Sequence, residues 1–308
     1  MKRTLCIINP LSGGSAGDRL RHRLLAEIKR RLPATAYDTI MTGRNAVRLP
    51  ASDYETVIVA GGDGTVWQSM QQLMQRSALP RVAVIPLGTG NDLARASGMI
   101  QCLRCHGISG ILDAVEQGKT TMLDILSLNN RFFFTNYYGI GIDATVAQSI
   151  NAMRAGQRSL RLPGKCLYIG AGLRNAGNRL TMPVALVWSD TNGGQHSLIA
   201  KPGTRQIMVT NIPWYGGGAR PSSWCRMDDG LFEVTIVEQW WQWVLLHLTR
   251  FINIPFDRIH RAALRFQTHS LILSWNGYAA GQLDGETLDL PAAPHTITCT
   301  AQLPLIIA

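Results

Sequence analysis

Two glycine-rich turns carry the residue types that phosphate chemistry needs: Gly61-Gly62-Asp63-Gly64-Thr65 and Pro86-Leu87-Gly88-Thr89-Gly90-Asn91-Asp92. Glycine lets the main chain take positive φ and come close to a ligand, and the N–H groups that open a following helix attract anions. An aspartate in such a turn would repel bare phosphate, so Asp63 implies a divalent cation, magnesium, between carboxylate and phosphate. Either turn alone is common in α/β domains. The two in order, furnished with Asp, Thr and Asn, point to a nucleotide-dependent phosphotransferase.

The elements that must position these turns can be read around them. Each turn follows an apolar run, at 56–60 and 82–85, and each leads into a helical pattern. A further strand opens at 5–8, and helices are expected around 17–32, 66–76, 91–98 and 108–117. This alternation predicts a doubly wound parallel sheet with ligands at the strand carboxyl ends. Beyond residue 122 strand-like runs follow one another at 122–128, 131–135, 183–189, 206–211, 231–237, 264–268, 270–275 and 296–301. Asn192-Gly193-Gly194 and Asn276-Gly277 are hairpin signals. The expectation is a nucleotide-binding α/β domain over 1–125 and a mainly antiparallel β domain over 126–308. The second holds helices around 157–176 and 240–252, and its last strand is read as returning to the first domain.

Composition narrows the function classes. The chain has 308 residues, 46% of them hydrophobic, and a formal net charge of +10. The size supports a real core, and the charge favours acidic partners such as nucleotides, nucleic acid or anionic lipid. Much of the charge lies on a helix whose outer face is Arg21, Arg23, Lys29 and Arg30, opposite Leu20, Leu24, Leu25, Ile28 and Leu32; a solvated face and a membrane contact are both open. No apolar run approaches the roughly 20 residues needed to span a bilayer, and the apolar start is short for a signal peptide, so a cytoplasmic location is expected. Six scattered cysteines speak against a disulfide framework.

Several shorter motifs fail on context. Cys102-Leu103-Arg104-Cys105-His106 fits the c-type haem spelling, but that chemistry needs export. Gly118-Lys119-Thr120 has Asp113 where a P-loop needs glycine, and Gly139-Ile140-Gly141-Ile142-Asp143 lacks the third glycine of a dinucleotide fingerprint. Trp240, Trp241 and Trp243 with Val244, Leu245, Leu246, Leu248 and Phe251 form an apolar helical stripe that suits either core or a membrane interface.

Taken together, these motifs resemble the bacterial diacylglycerol kinase and related lipid kinase family, over nearly the whole chain. Asn9-Pro10-Leu11-Ser12-Gly13-Gly14 resembles its opening phosphate loop, and the two glycine turns resemble its nucleotide motifs. Residues 136–144, Gly216-Gly217-Gly218 with Asp229-Gly230, and Asp284-Gly285-Glu286 are similar to later signatures. The resemblance implies a first domain like that of NAD kinases and phosphofructokinases, a second that is a β-sandwich, and ATP and lipid meeting between them. It implies that Asn9, Pro10, Leu11, Ser12, Gly13, Thr42, Gly61, Gly62, Asp63, Gly64, Thr65, Val66, Trp67 and Thr89 hold ATP. Glu286 would be the general base and Asp63 would hold the catalytic magnesium. A second, structural magnesium would sit on the Asp229 side chain and the carbonyls of Arg226 and Leu231. The family tends to have Pro-x-Ala where this chain has Ser223-Trp224-Cys225.

The expected activity is transfer of the ATP γ-phosphate to a hydroxyl of a membrane lipid such as diacylglycerol. The expected partners are that lipid and an anionic membrane contacted peripherally, with no nucleic acid, and a homodimer is compatible with the sequence. On the residues alone Glu286 is equally well an exposed hairpin acid. The alternatives for the whole chain are a kinase of a soluble acceptor, as in NAD kinases, and a nucleotide-binding regulatory protein without catalysis.

Overall fold

In a computed structural model of the chain, which describes residues 3–31, 33, 35–43, 47–156, 170–172, 174–261, 264–292 and 294–308, the apolar runs of the first half form a parallel sheet. The chain divides into two units, Met1–Ile125 with Ala301–Ala308, and Leu126–Thr300. In the first, β1 (Thr4–Ile8) lies between β2 (Tyr37–Met41) and β3 (Thr56–Gly61), and β3 pairs in turn with β4 (Arg81–Pro86), all parallel. Every position of β3 is buried, as a strand covered on both faces requires. The register sets Ile8 beside Ala60 and Gly61 beside Pro86, so three strands end level. The segments after Ile8, Gly61 and Pro86 therefore leave one edge of the sheet side by side.

Helices α1 (Gly14–Arg31), α2 (Asp63–Leu73), α3 (Asp92–Ala96) and α4 (Met99–Gln117) complete this unit. α1 turns Leu24 and Ile28 inward, and its Arg31 reaches α4 with ion pairs to Asp113 at 2.6 Å and Glu116 at 3.3 Å. Leu32 lies outside the described residues. α4 begins nine residues before the expected 108, because Gly107 at φ 65° interrupts the helical repeat between its two parts. The motif Cys102 to His106 lies in its first part. β2 escaped the sequence reading because it is an edge strand with none of its five positions fully buried.

The second unit is antiparallel. β5 (Thr120–Leu128) enters it from the first and pairs with β6 (Phe132–Phe134); β7 (Tyr137–Gly141), α5 (Ile142–Gly156), β8 (Val184–Ser189), β9 (Gln195–Ala200), β10 (Gln206–Thr210) and β11 (Phe232–Val237) follow. The helix expected at 157–176 lies outside the described residues except at 170–172 and 174–176. After β11 come α6 (Trp240–Ile252), α7 (Phe256–Ile259), β12 (Leu264–Thr268), β13 (Ser270–Ser274), β14 (Ala279–Leu283), β15 (Glu286–Leu290) and β16 (His295–Ile306). One sheet runs β12-β11-β10-β7-β14-β15, while β13 lies between β8 and β16 in another. Trp188 of β8 stacks on Phe266 of β12 with ring centres 3.8 Å apart, and Thr268 donates to the Ser189 carbonyl at 2.7 Å. These contacts join the sheets as a sandwich.

The signal Asn192-Gly193-Gly194 closes the β8–β9 hairpin, but Asn276-Gly277 does not close one. It connects β13 to β14, strands of different sheets, so a glycine turn between two strand patterns was a chain crossing and not a hairpin. Among the described residues no helix is long and apolar enough to cross a membrane, and Cys6, Cys102, Cys105, Cys225 and Cys299 are free thiols.

The end of the chain stabilises the first unit. Leu305 pairs in parallel with Val82, Ile307 donates to the Lys119 carbonyl and Ala308 to that of Ser97, both at 3.0 Å. Leu303, Leu305 and Ile306 are fully buried. Truncating a buried leucine typically costs about 2–5 kcal/mol, so Leu305→Ala is expected to lower the urea midpoint of the whole first unit although it lies only three residues before Ala308.

Candidate active site

Three loops leave the level strand ends of the first unit, and their glycines interlock. A Cβ on Gly13 would lie 1.9 Å from the Leu87 carbonyl oxygen, one on Gly88 2.5 Å from the Gly62 Cα, and one on Gly90 2.4 Å from Asp63 Oδ2. Only bare backbone fits where the three loops meet. Side chains complete the lock: Asn9 Nδ2 donates to Thr65 Oγ1 at 2.9 Å while Asn9 Oδ1 accepts the Leu11 N–H at 2.9 Å. Asp63, the first residue of α2, accepts the main-chain N–H groups of Asn91 at 2.8 Å and Asp92 at 3.0 Å.

Asn91 holds the second turn in shape. It stands at φ 55°, a conformation asparagine tolerates, and its side-chain amide both accepts from the Gly88 N–H at 3.1 Å and donates to the Gly88 carbonyl at 2.7 Å. Asp92 is fully buried and paired with Arg95 at 2.6 Å, and the same Arg95 donates to the Gly90 carbonyl at 3.2 Å. Neither Asn91 nor Asp92 was among the expected site residues, although both were spelled in the motif; a Gly-Asn pair at a strand end is the signal that could have found Asn91.

The remaining nucleotide candidates occupy the same loops. Leu11, Gly13 and Thr89 are exposed, while Pro10, Ser12, Gly62 and Gly64 are half-buried. Gly61 is buried against the Thr65 side chain, and Val66 turns into the core. Thr42 follows β2, where its N–H donates to the Ile8 carbonyl at 2.8 Å. Among the described residues the buried Thr42 hydroxyl and Trp67 indole nitrogen have no hydrogen-bond partner.

In the second unit the acidic motif near residue 284 is divided between two tasks. Asp284 and Gly285 stand at φ 49° and 89°, the two-residue turn with positive φ at both positions that suits strand twist, and it joins β14 to β15. Asp284 is buried, and its carboxylate accepts the main-chain N–H groups of Thr135, Asn136 and Tyr137 at 2.9–3.0 Å and the Thr135 hydroxyl at 3.2 Å. Burial pushes its pKa up to about 6 against the pull of those donors. Glu286 is the next turn-flanking residue, half-buried at the head of β15. Asp284 thus fixes the hairpin and Glu286 is the acid the hairpin presents.

Arg226, Asp229 and Leu231 lie in one loop before β11, where Asp229 is exposed and its Oδ1 accepts the Leu231 N–H at 3.1 Å. The unusual Ser223-Trp224-Cys225 stretch ahead of it is held by buried Asp257 of α7, which accepts from the Ser223 N–H at 2.9 Å and hydroxyl at 2.6 Å. Among the described residues no group of three or more His, Cys, Asp or Glu side chains is arranged to hold a metal. A further buried cluster escaped the sequence reading altogether. Asp143 accepts from Gln206 at 2.9 Å, from Trp243 at 2.6 Å, from Tyr215, and from His247 at 3.4 Å. Burial would raise its pKa, but the His247 charge and these hydrogen bonds outweigh it and hold the carboxyl below its usual range.

Comparison with known proteins gives these parts a common origin. The diacylglycerol kinase catalytic domain matches residues 3–128, and the diacylglycerol kinase accessory domain matches residues 133–287. The diacylglycerol kinase of Staphylococcus epidermidis is 26% identical over 242 residues, covering 77% of this chain and 71% of that protein. Human diacylglycerol kinase iota is 30% identical over 275 residues, which are 76% of this chain but 25% of the human protein. A diacylglycerol kinase structure from Bacillus anthracis superposes on 100% of this chain and 97% of its own with TM-score 0.66 at 20% identity. Yeast NADH kinase complexed with NADH shares the fold more distantly, with TM-score 0.50 at 10% identity over 100% of this chain and 84% of its own. With both halves of the family's architecture matched in order, the chain belongs to the diacylglycerol kinase family, and with it to the lipid kinases.

Proposed function

We propose that this kinase transfers the γ-phosphate of ATP to the hydroxyl of a membrane lipid of the diacylglycerol type. The observation that carries the nucleotide half is the interlocked cradle of Gly13, Gly62, Gly88 and Gly90, where main chain is bare of side chains at the start of α2. Phosphates bind such a place through N–H groups and the helix dipole. Thr42 and Trp67, with their buried and unsatisfied polar atoms, fit residues that complete their hydrogen bonds on a nucleotide.

The acceptor half rests on family membership and on Glu286. Phosphoryl transfer asks little covalent chemistry of the protein beyond positioning, charge neutralisation and removal of the hydroxyl proton. Glu286 takes that proton, and the buried Asp284 keeps the hairpin from moving while it does so. The fit for magnesium is through Asp63, a carboxylate at the start of α2 beside the glycine cradle, whose hard oxygens suit a hard cation. Magnesium usually keeps several waters and binds one or two carboxylates plus substrate phosphates, so it needs no larger acidic cluster. When bound it would neutralise charge on the phosphates. By the family resemblance Asp229 and the carbonyls of Arg226 and Leu231 would supply oxygen ligands of the kind a second hard cation takes.

The test is mass spectrometry of the product after a total lipid extract is incubated with ATP and magnesium. A phosphorylated glycerolipid supports the reading. Phosphorylated NAD in a parallel assay would replace it with a soluble acceptor, and ATP binding without any product would replace it with a regulatory role.

Variants separate the parts. Glu286→Gln is expected to lower turnover at least about 100-fold, the range for losing a general base, with ATP binding by calorimetry and the unfolding midpoint unchanged. Asp284→Ala leaves three buried N–H groups unpaired, each costing about 1–3 kcal/mol, so stability and turnover fall together. Gly90→Ala sets a methyl against Asp63 and overpacking of this kind costs about 1–3 kcal/mol; the KM for ATP should rise while that for lipid stays constant.

A further inference from the structure

Helix α6 is built inside out. Its buried face carries polar groups alongside Leu246: Gln242 accepts the N–H groups of Glu238 and Gln239 at 2.8 and 2.9 Å, Trp243 donates to Asp143 at 2.6 Å, and Thr249 accepts the Arg220 N–H at 2.8 Å. Every exposed residue of the helix is apolar: Trp240, Trp241, Leu248, Phe251 and Ile252, from 44% exposed at Trp241 to 68% at Phe251. Ile254, exposed in the same connection to α7, extends the face. A helix against water ordinarily shows the reverse pattern.

We propose that this face of α6 docks the protein on an anionic lipid bilayer. The surroundings of the helix are cationic at its carboxyl end. Arg220 reaches the α6 cap, with its guanidinium 3.3 Å from Asn253 Oδ1, and Arg258 and Arg261 are exposed on and after α7. The acid of that segment, Asp257, is buried and spent on Ser223. An apolar face with tryptophans at one end and arginines at the other is the composition of a helix lying in the plane of a headgroup layer, aromatic rings at the interface and arginines on lipid phosphates. A second copy of the chain seated on the same face would bring two such positive surfaces together, which charge repulsion opposes. The docking rests on the lipid-acceptor reading for its purpose, since that acceptor lies in a bilayer.

The experiment reads binding alone, without nucleotide or lipid acceptor: co-sedimentation of the full chain with phosphatidylcholine vesicles containing phosphatidylglycerol, and with phosphatidylcholine vesicles. The wild type is expected to bind the anionic vesicles more tightly. Leu248→Asp with Phe251→Asp should weaken binding to both by about tenfold or more, with the thermal unfolding midpoint unchanged because these side chains touch water in the free protein. Arg258→Glu with Arg261→Glu should remove the preference for anionic vesicles while leaving the residual apolar binding. Wild type that fails to bind vesicles, or two variants that bind as wild type does, overturns the proposal. So does a dimer in sedimentation velocity that the Leu248 and Phe251 changes dissolve when no vesicles are bound. Vesicle binding with the expected variant pattern but no lipid phosphorylation would keep the docking surface and remove the acceptor reading.

Discussion

Asp63 accepting the N–H groups of Asn91 and Asp92 is the constraint on which the first unit's site depends. A parallel sheet brings the ends of β3 and β4 side by side, but adjacent strands alone leave the loops beyond them free to move apart. The carboxylate crosses that gap with two hydrogen bonds of the stronger, charge-assisted kind. Because the bonds go to main chain, the second turn must come within van der Waals contact of the first. That is why Gly88 and Gly90 can carry no side chain, and why Asn91 must adopt a left-handed conformation to turn its N–H toward Asp63. One interaction thus accounts for three residue choices in a separate loop.

The second unit solves the same problem with the same device. An acid at a hairpin turn is only as well placed as the hairpin, and β15 is an edge strand paired with β14 alone. Asp284 removes that freedom by accepting three successive N–H groups of the chain leading into β7, the strand beside β14. The cost of burying a carboxylate is visible in its raised pKa, and the donors offset it. Two acids of one short motif therefore have opposite environments: Asp284 is buried and holds the hairpin, while Glu286 is half-buried at the head of β15.

What the sequence could reveal follows from how local each signal is. Glycine turns after β-branched runs declare strand, turn and helix together, and they located β3, α2, β4 and α3 correctly. The acids of the motifs were legible as types but not as roles, because Asp63 and Asp284 act on main chain 28 and 149 positions away in sequence. Asp143 could be read as part of a signature, but not its cluster: its partners come from β10, the Tyr215 turn and α6, and only folding assembles them. β7, β14 and β15 were missed for a related reason, since the glycines of β7 and β14 and the polar residues of β15 look like loop until neighbouring strands pair with them.

The tryptophan-rich stripe shows a further limit, because composition could not tell which of its residues enter the core and which lie at the surface. Trp243 is buried and bonded to Asp143, while Trp240 and Trp241, on the same turn of helix, face water. Holding such a helix by apolar packing alone would leave it free to roll its larger apolar face inward. The Asp143 cluster prevents this, because rolling would strand a buried carboxylate and break specific hydrogen bonds, whereas apolar packing tolerates rotation. The polar inner contacts thus specify orientation where hydrophobicity by itself would favour the opposite one. The exposed apolar face is therefore imposed by the fold's most directional interactions.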